Sequence, residues 1–167
     1  YLVENGGQVD KERMAFRVTA DTKLIDVVKY LVGKGAQVNG KDSRGTAALG
    51  MAASAGHVDI AKYLVENGAD VNAKYWNGKT ALVIAASAGH VGIVKYLIEN
   101  GADVNTVDTW CKPPLSAGAS AGHVGIVKYL VENGADVKAV DRNGKTALVI
   151  AASAGHVDIV KYLVENG

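Results

Sequence analysis

The chain has 167 residues, 49% of them hydrophobic, with 18 Lys and Arg against 17 Asp and Glu for a formal net charge of +1. That length suffices for one domain with a core, and the charge balance carries neither a nucleic-acid footprint nor a membrane-binding basic segment. No apolar run approaches the roughly 20 residues of a membrane span, no signal peptide is visible, and the single cysteine, Cys111, excludes an internal disulfide and fits the cytoplasm or another reducing compartment.

Internal repetition dominates the sequence. "SAGHV" begins at Ser54, Ser87, Ser120 and Ser153, each 33 residues after the last, and "GKTALVIAASAGHV" occurs word for word at 78–91 and 144–157. Tyr30, Tyr63, Tyr96, Tyr129 and Tyr162 lie on the same grid. In chain order, residues 1–6 ("YLVENG") are the remnant of a preceding copy. Then follow copies at about 7–39, 40–72, 73–105, 106–138 and 139–167. The first is degenerate: it lacks four loop residues, and "KLIDVV" has lost the Gly-His of its sisters. The chain closes on the same "YLVENG" and lacks an initial Met, which reads as a fragment with ragged ends.

Each copy predicts two short helices and a loop. In the third, Thr80 is a good N-cap, and "ALVIAASA" is small and apolar enough for a helix packed on several sides. Gly89 interrupts, and a second helix starts near Val91 with Ile93, Val94, Leu97 and Ile98 as one stripe. Lys95 and Glu99 form an i,i+4 pair on its solvent side, as do Lys62 with Glu66 and Lys128 with Glu132. Asn100-Gly101 ends it, and "ADVNAKYWNG" reads as an extended hairpin-like loop with an Asn-Gly turn. One helix pair cannot bury its own stripe, so the copies must stack into an all-α repeat solenoid.

The 33-residue period, "GKTAL", "AASAGH" and "LVENGADVNAK" together resemble ankyrin repeats over the whole chain. The family's Thr-Pro-Leu-His loses its His to Gly50, Val83, Ser116 and Val149 and keeps Pro only as Pro114. This removes hydrogen bonds that family members use between loops without threatening the fold. The resemblance implies a protein-binding module that uses its loop tips and concave inner-helix face.

Nothing in the sequence assembles a catalytic site, so no enzyme activity and no cofactor are expected. "NGKT" fails as a phosphate-binding loop because Ala73 and Ala139 stand where Gly is required. His57, His90, His123 and His156 belong to helix pairs about 10 Å apart, too far to share a metal ion, and read instead as polar ties at each helix-pair turn.

Function is sought where the copies differ. Tyr75 stands opposite Asp42, Asp108 and Asp141; Trp76 opposite Ser43, Thr109 and Arg142; Trp110 opposite Arg44, Asn77 and Asn143. Phe16, opposite Leu49, Leu82, Leu115 and Leu148, is core. The three aromatics at polar positions are expected to form one exposed patch on adjacent tips, flanked by Ser43, Arg44, Thr109 and Arg142. The alternative gives the rings to stabilising the stack. Replacing Asp by Tyr75 also forfeits a turn-stabilising hydrogen bond.

The fourth copy reads "LSAGAS" against "LVIAAS", so Ser116, Ala117 and Gly118 are all trimmed, and Gly50 is a milder case. Either a notch beside Trp110 admits a partner side chain or Trp110 itself, or the copy is simply repacked. Cys111 replaces the turn glycine of Gly45, Gly78 and Gly144, which Cys tolerates poorly, so this tip is expected to differ in shape. The near-identity of the copies is equally the look of an engineered binder and of recent duplication. The reading that competes with a protein-binding module is a structural spacer from a longer array. Its uncapped ends, or the aromatic patch, would then promote self-association.

Overall fold

The structure, a computed structural model, describes residues 24–41 and 45–167. The remnant at 1–6, the shortened first loop, Phe16, Asp42, Ser43 and Arg44 lie outside the described residues. Nine α-helices occur among those described: α1 (Ile25–Gly33), α2 (Ala48–Ala55), α3 (Val58–Glu66), α4 (Ala81–Ala88), α5 (Val91–Glu99), α6 (Pro114–Ala121), α7 (Val124–Glu132), α8 (Ala147–Ser153) and α9 (Val157–Asn166). A single 3₁₀ turn, Trp76–Gly78, joins them in the third copy's loop.

The helices sort into two layers. The inner layer is α2, α4, α6 and α8, each packed on the next; the outer is α1, α3, α5, α7 and α9, packed in the same sequential way. Inner helices are almost entirely Ala, Leu and other small residues, which lets neighbouring backbones approach on both sides. Their starts are set by an extended residue, and two are capped by a side chain: Thr80 Oγ1 accepts from Val83 N, and Thr146 Oγ1 from Val149 N, both at 3.4 Å. The fourth copy substitutes Pro113, with Pro114 at the first helical position, where a missing N–H costs nothing.

Outer helices bury one stripe each. Ile60 and Leu64, Ile93 and Leu97, Ile126 and Leu130, and Ile159 and Leu163 are all buried, each contributing roughly 1.5–3 kcal/mol. No single helix pair encloses these side chains, so stability is shared between neighbours.

Three columns of side chains cross the repeat boundaries. Asn39, Asn72 and Asn105 each donate Nδ2 to the carbonyl of Gly68, Gly101 and Gly134 and accept from the amide of Asp70, Asp103 and Asp136. Lys29, Lys62, Lys95 and Lys128 each stand over the tyrosine of the following repeat, with ammonium-to-ring distances of 5.3–5.9 Å. Three of these lysines also stand four residues before Glu66, Glu99 and Glu132, the pairing that sequence spacing alone suggests. The histidines form the third column: His90 Nε2 donates to Ser54 O at 3.0 Å and His156 Nε2 to Ser120 O at 3.3 Å. Gly56 and Gly122 end the inner helices at φ +80, and each lies directly beneath one of these rings, where a Cβ would come within 2.7 Å. Glycine is thus required there twice over, by backbone and by space.

Candidate functional site

The tips of the fourth and fifth loops are built on one turn. In the fourth, Asp108 Oδ1 accepts from Trp110 N (2.9 Å) and Lys112 N (3.0 Å). In the fifth, Asp141 Oδ1 does the same for Asn143 N and Lys145 N. Neighbouring tips are stitched through the backbone, Thr109 N donating to Asn77 O and Arg142 N to Trp110 O, both at 2.9 Å. The Arg142 guanidinium adds a bond to Thr109 O at 3.0 Å. Trp76 and Trp110 therefore sit on loops whose relative position is fixed.

Trp76 is 69% exposed and Trp110 43%, as the sequence comparison expects, and Thr109 and Arg142 are exposed beside them. Tyr75 is not part of that surface. Only 7% of it is exposed, and its ring lies across Gly50 of the preceding inner helix, where a Cβ would be 2.8 Å from Cε2. The expectation of three exposed rings is corrected to two, because the trimmed Gly50 opens the space that Tyr75 fills. The ring's hydroxyl is buried without a hydrogen-bond partner. Burial, then the nearby Asp70 carboxylate, pushes its pKa above the usual phenol range.

Ser116, also expected at the contact surface, is corrected too. It is fully buried, its Oγ has no partner, and Ala117 and Gly118 are buried with it. There is no notch for an outside side chain at Gly118: a Cβ there would meet Ile126 Cγ2 at 3.3 Å and Val127 Cγ2 at 3.6 Å. The trimmed helix has been closed upon by its neighbours. The open groove lies one step further, where Lys112, Asp141, Lys145, Ile150 and Ser153 line about 320 Å³.

Cys111 keeps the turn rather than changing it. Its φ is +57, in the left-handed region of Gly78 (+69) and Gly144 (+70), and its amide bonds Asp108 O at 3.0 Å as Gly144 bonds Asp141 O at 2.9 Å. The tip that departs is the third, where Tyr75 offers no carboxylate and Asn77 joins Gly78 at positive φ. Asparagine tolerates that region.

Sequence comparison also missed two exposed apolar residues on these loops, Val107 and Val140. Both occupy the position of Lys41 and Lys74, so extending the copy-by-copy subtraction from aromatics to valines would have found them.

Among the described residues, no group of three or more His, Cys, Asp or Glu is placed to hold a metal ion, and no helix is long and apolar enough to cross a membrane. The family model for ankyrin repeats (3 copies) matches residues 15–108 and again 106–167. No curated protein matches the chain.

Proposed function

Because the chain belongs to the ankyrin repeat family, whose arrays are generally protein–protein interaction modules and typically non-catalytic, we propose that it binds a protein partner through its hairpin tips and the adjoining inner-helix groove. Trp76 and Trp110 are the anchors, Thr109 and Arg142 the polar rim, and Val107 and Val140 additional apolar contacts. The observation that carries this reading is the exposure of two tryptophans on hydrogen-bonded tips, at positions where sister repeats carry Thr109, Arg142, Asn77 and Asn143. Burying a tryptophan against a partner recovers a large apolar area, and the loop backbones that carry the rings are already hydrogen-bonded, so little loop-ordering entropy is lost on binding.

The test replaces both anchors by sister residues, Trp76→Ser and Trp110→Asn, leaving Tyr75 in the core. Neither ring is buried, so thermal unfolding should be nearly unchanged, within about 0.5 kcal/mol. A partner captured by the parent chain should bind the double variant at least about tenfold more weakly. Equal binding by a folded double variant would remove the tips from the contact surface.

A further inference from the structure

Charge in this chain is segregated by loop. The turn segments 40–47, 73–80, 106–113 and 139–146 hold seven of the 18 basic residues but three of the 17 acidic ones, which leaves eleven basic against fourteen acidic over the rest. A net charge of +1 thus conceals basic tips on an acidic body. The tips are also held side by side. Lys41 Nζ donates to Lys74 O at 2.8 Å, while Thr109 N donates to Asn77 O and Arg142 N to Trp110 O, both at 2.9 Å. Their charges therefore act over one surface.

The acids of the fourth and fifth tips are engaged by the turns themselves. Asp108 is buried, and its Oδ1 accepts from two amides; Asp141 Oδ1 does the same. Lys41, Lys74 and Arg142 are exposed, and Lys79 and Lys112 are half-buried. The third tip is the most one-sided. No Asp or Glu occurs from Val71 to Ile98, and Tyr75 stands where its sisters carry Asp42, Asp108 and Asp141. The nearest acid before it, Asp70, accepts from Asn72 N at 2.9 Å. Tyr75 N donates to Lys79 O at 2.8 Å, which sets Lys74 and Lys79 on the two arms of the turn that carries Trp76. The exchange of Asp for Tyr75 thus acts twice. Its ring goes inward over Gly50, and the missing carboxylate leaves an exposed indole on a tip whose only charges are ammonium groups.

We propose that the tip surface selects an acidic protein segment, one whose Asp or Glu side chains flank the apolar residues that cover Trp76 and Trp110. This rests on the tips being the contact surface proposed above, and adds the chemistry of what they contact. The rings supply the apolar anchor. Charge complementarity sets encounter rate and partner choice, because a basic segment would meet like charge at Lys41, Lys74 and Lys79. A nucleic-acid strand also offers negative charge and stackable rings, but it is disfavoured by the fourteen acidic residues outside the tips, which oppose a polyanion extending beyond them.

The probe is a displayed library of random linear peptides, panned on the immobilised full chain and on two variants folded by circular dichroism. One variant is Trp76→Ser with Trp110→Asn; the other is Lys74→Glu with Lys79→Glu. Peptides retained by the parent chain should be rich in Asp or Glu beside large apolar residues. Each variant should bind them about tenfold or more weakly, and added sodium chloride should weaken them further. Lys74→Arg with Lys79→Arg should preserve binding, which separates loss of charge from disturbance of the loop. Peptides lost with the two tryptophans but neutral or basic in composition, or indifferent to the two glutamates, would leave the tips as the contact surface and overturn the acidic partner. Peptides indifferent to the tryptophan variant would remove the tips themselves and this proposal with them, and an empty selection would overturn the proposal. Oligothymidylate bound more tightly than any selected peptide, and released by the tryptophan variant, would assign the surface to nucleic acid instead.

Discussion

The loop tips at 75–79 and 108–112 close a turn of the same span by different chemistry. Both close it with an amide of the first residue donating to the carbonyl of the fifth, Tyr75 to Lys79 at 2.8 Å and Asp108 to Lys112 at 3.4 Å. In the fourth loop a buried carboxylate then holds two further amides. The third loop has no such acceptor and is pinned by a phenol ring that reaches back over Gly50. One tip is organised by local hydrogen bonds, the other by packing against the repeat before it. The comparison shows that an aromatic at a loop position need not face outward: Tyr75 and Trp76 are neighbours in sequence, and one is interior while the other is surface.

The strongest way to break this comparison is to convert one tip into the other. Tyr75→Asp removes a buried ring, a loss of about 3–5 kcal/mol for comparable aromatic truncations. It regains turn hydrogen bonds worth about 1 kcal/mol each. The expected net destabilisation is about 1–3 kcal/mol by urea unfolding. Gly50→Val alone drives a side chain into the Tyr75 ring and should cost about 1–3 kcal/mol. The pair together recreates the Val83 and Asp108 arrangement, so the double variant should recover most of both losses. Strictly additive losses would show that Gly50 and Tyr75 do not depend on one another.

That coupling also marks what was legible in the sequence. The solenoid, the helix pairs and the polar role of the histidines follow from the 33-residue grid, because stacked repeats place equivalent residues in equivalent surroundings. The exposure of Trp76 and Trp110 follows from the same reasoning, since their sister positions are polar. Tyr75 fails it because position-by-position subtraction assumes that the neighbour is also unchanged. Gly50 had changed, twenty-five residues earlier and in another repeat, and the volume lost there is supplied by Tyr75. Ser116, Ala117 and Gly118 fail in the opposite sense: trimmed side chains read as a gap, but all three are buried, and Ile126 and Val127 close against Gly118.

A smaller effect sharpens the other half of the comparison. Cys111 holds a turn that its sisters build with glycine, and a left-handed residue with a Cβ carries a conformational cost of about 1–2 kcal/mol. Glycine loses more chain entropy on folding, which offsets part of that. Cys111→Gly should raise stability by about 0.5–1 kcal/mol, read as a higher thermal midpoint, with the tip hydrogen bonds unchanged. A lower midpoint would mean that the exposed thiol makes a contact worth more than the strain it imposes.

The smallest change at neutral pH is Tyr75→Phe, and it tests whether packing alone organises the third tip. The hydroxyl has no partner and is buried, so its removal relieves a desolvated polar atom while leaving the ring over Gly50. Stability should be unchanged or slightly higher. The difference lies at high pH. The folded-state pKa of Tyr75 is raised above its ordinary value of 10.0, so the protonated form is favoured in the native state and the unfolded chain ionises first. Stability contributed by the neutral phenol is complete below about pH 10 and declines as pH rises beyond it. The parent chain should therefore lose stability faster than Tyr75→Phe in urea titrations above pH 10, with the two curves converging below it. Parallel curves across that range would mean that the hydroxyl reaches solvent, and the third tip would then need a polar anchor after all.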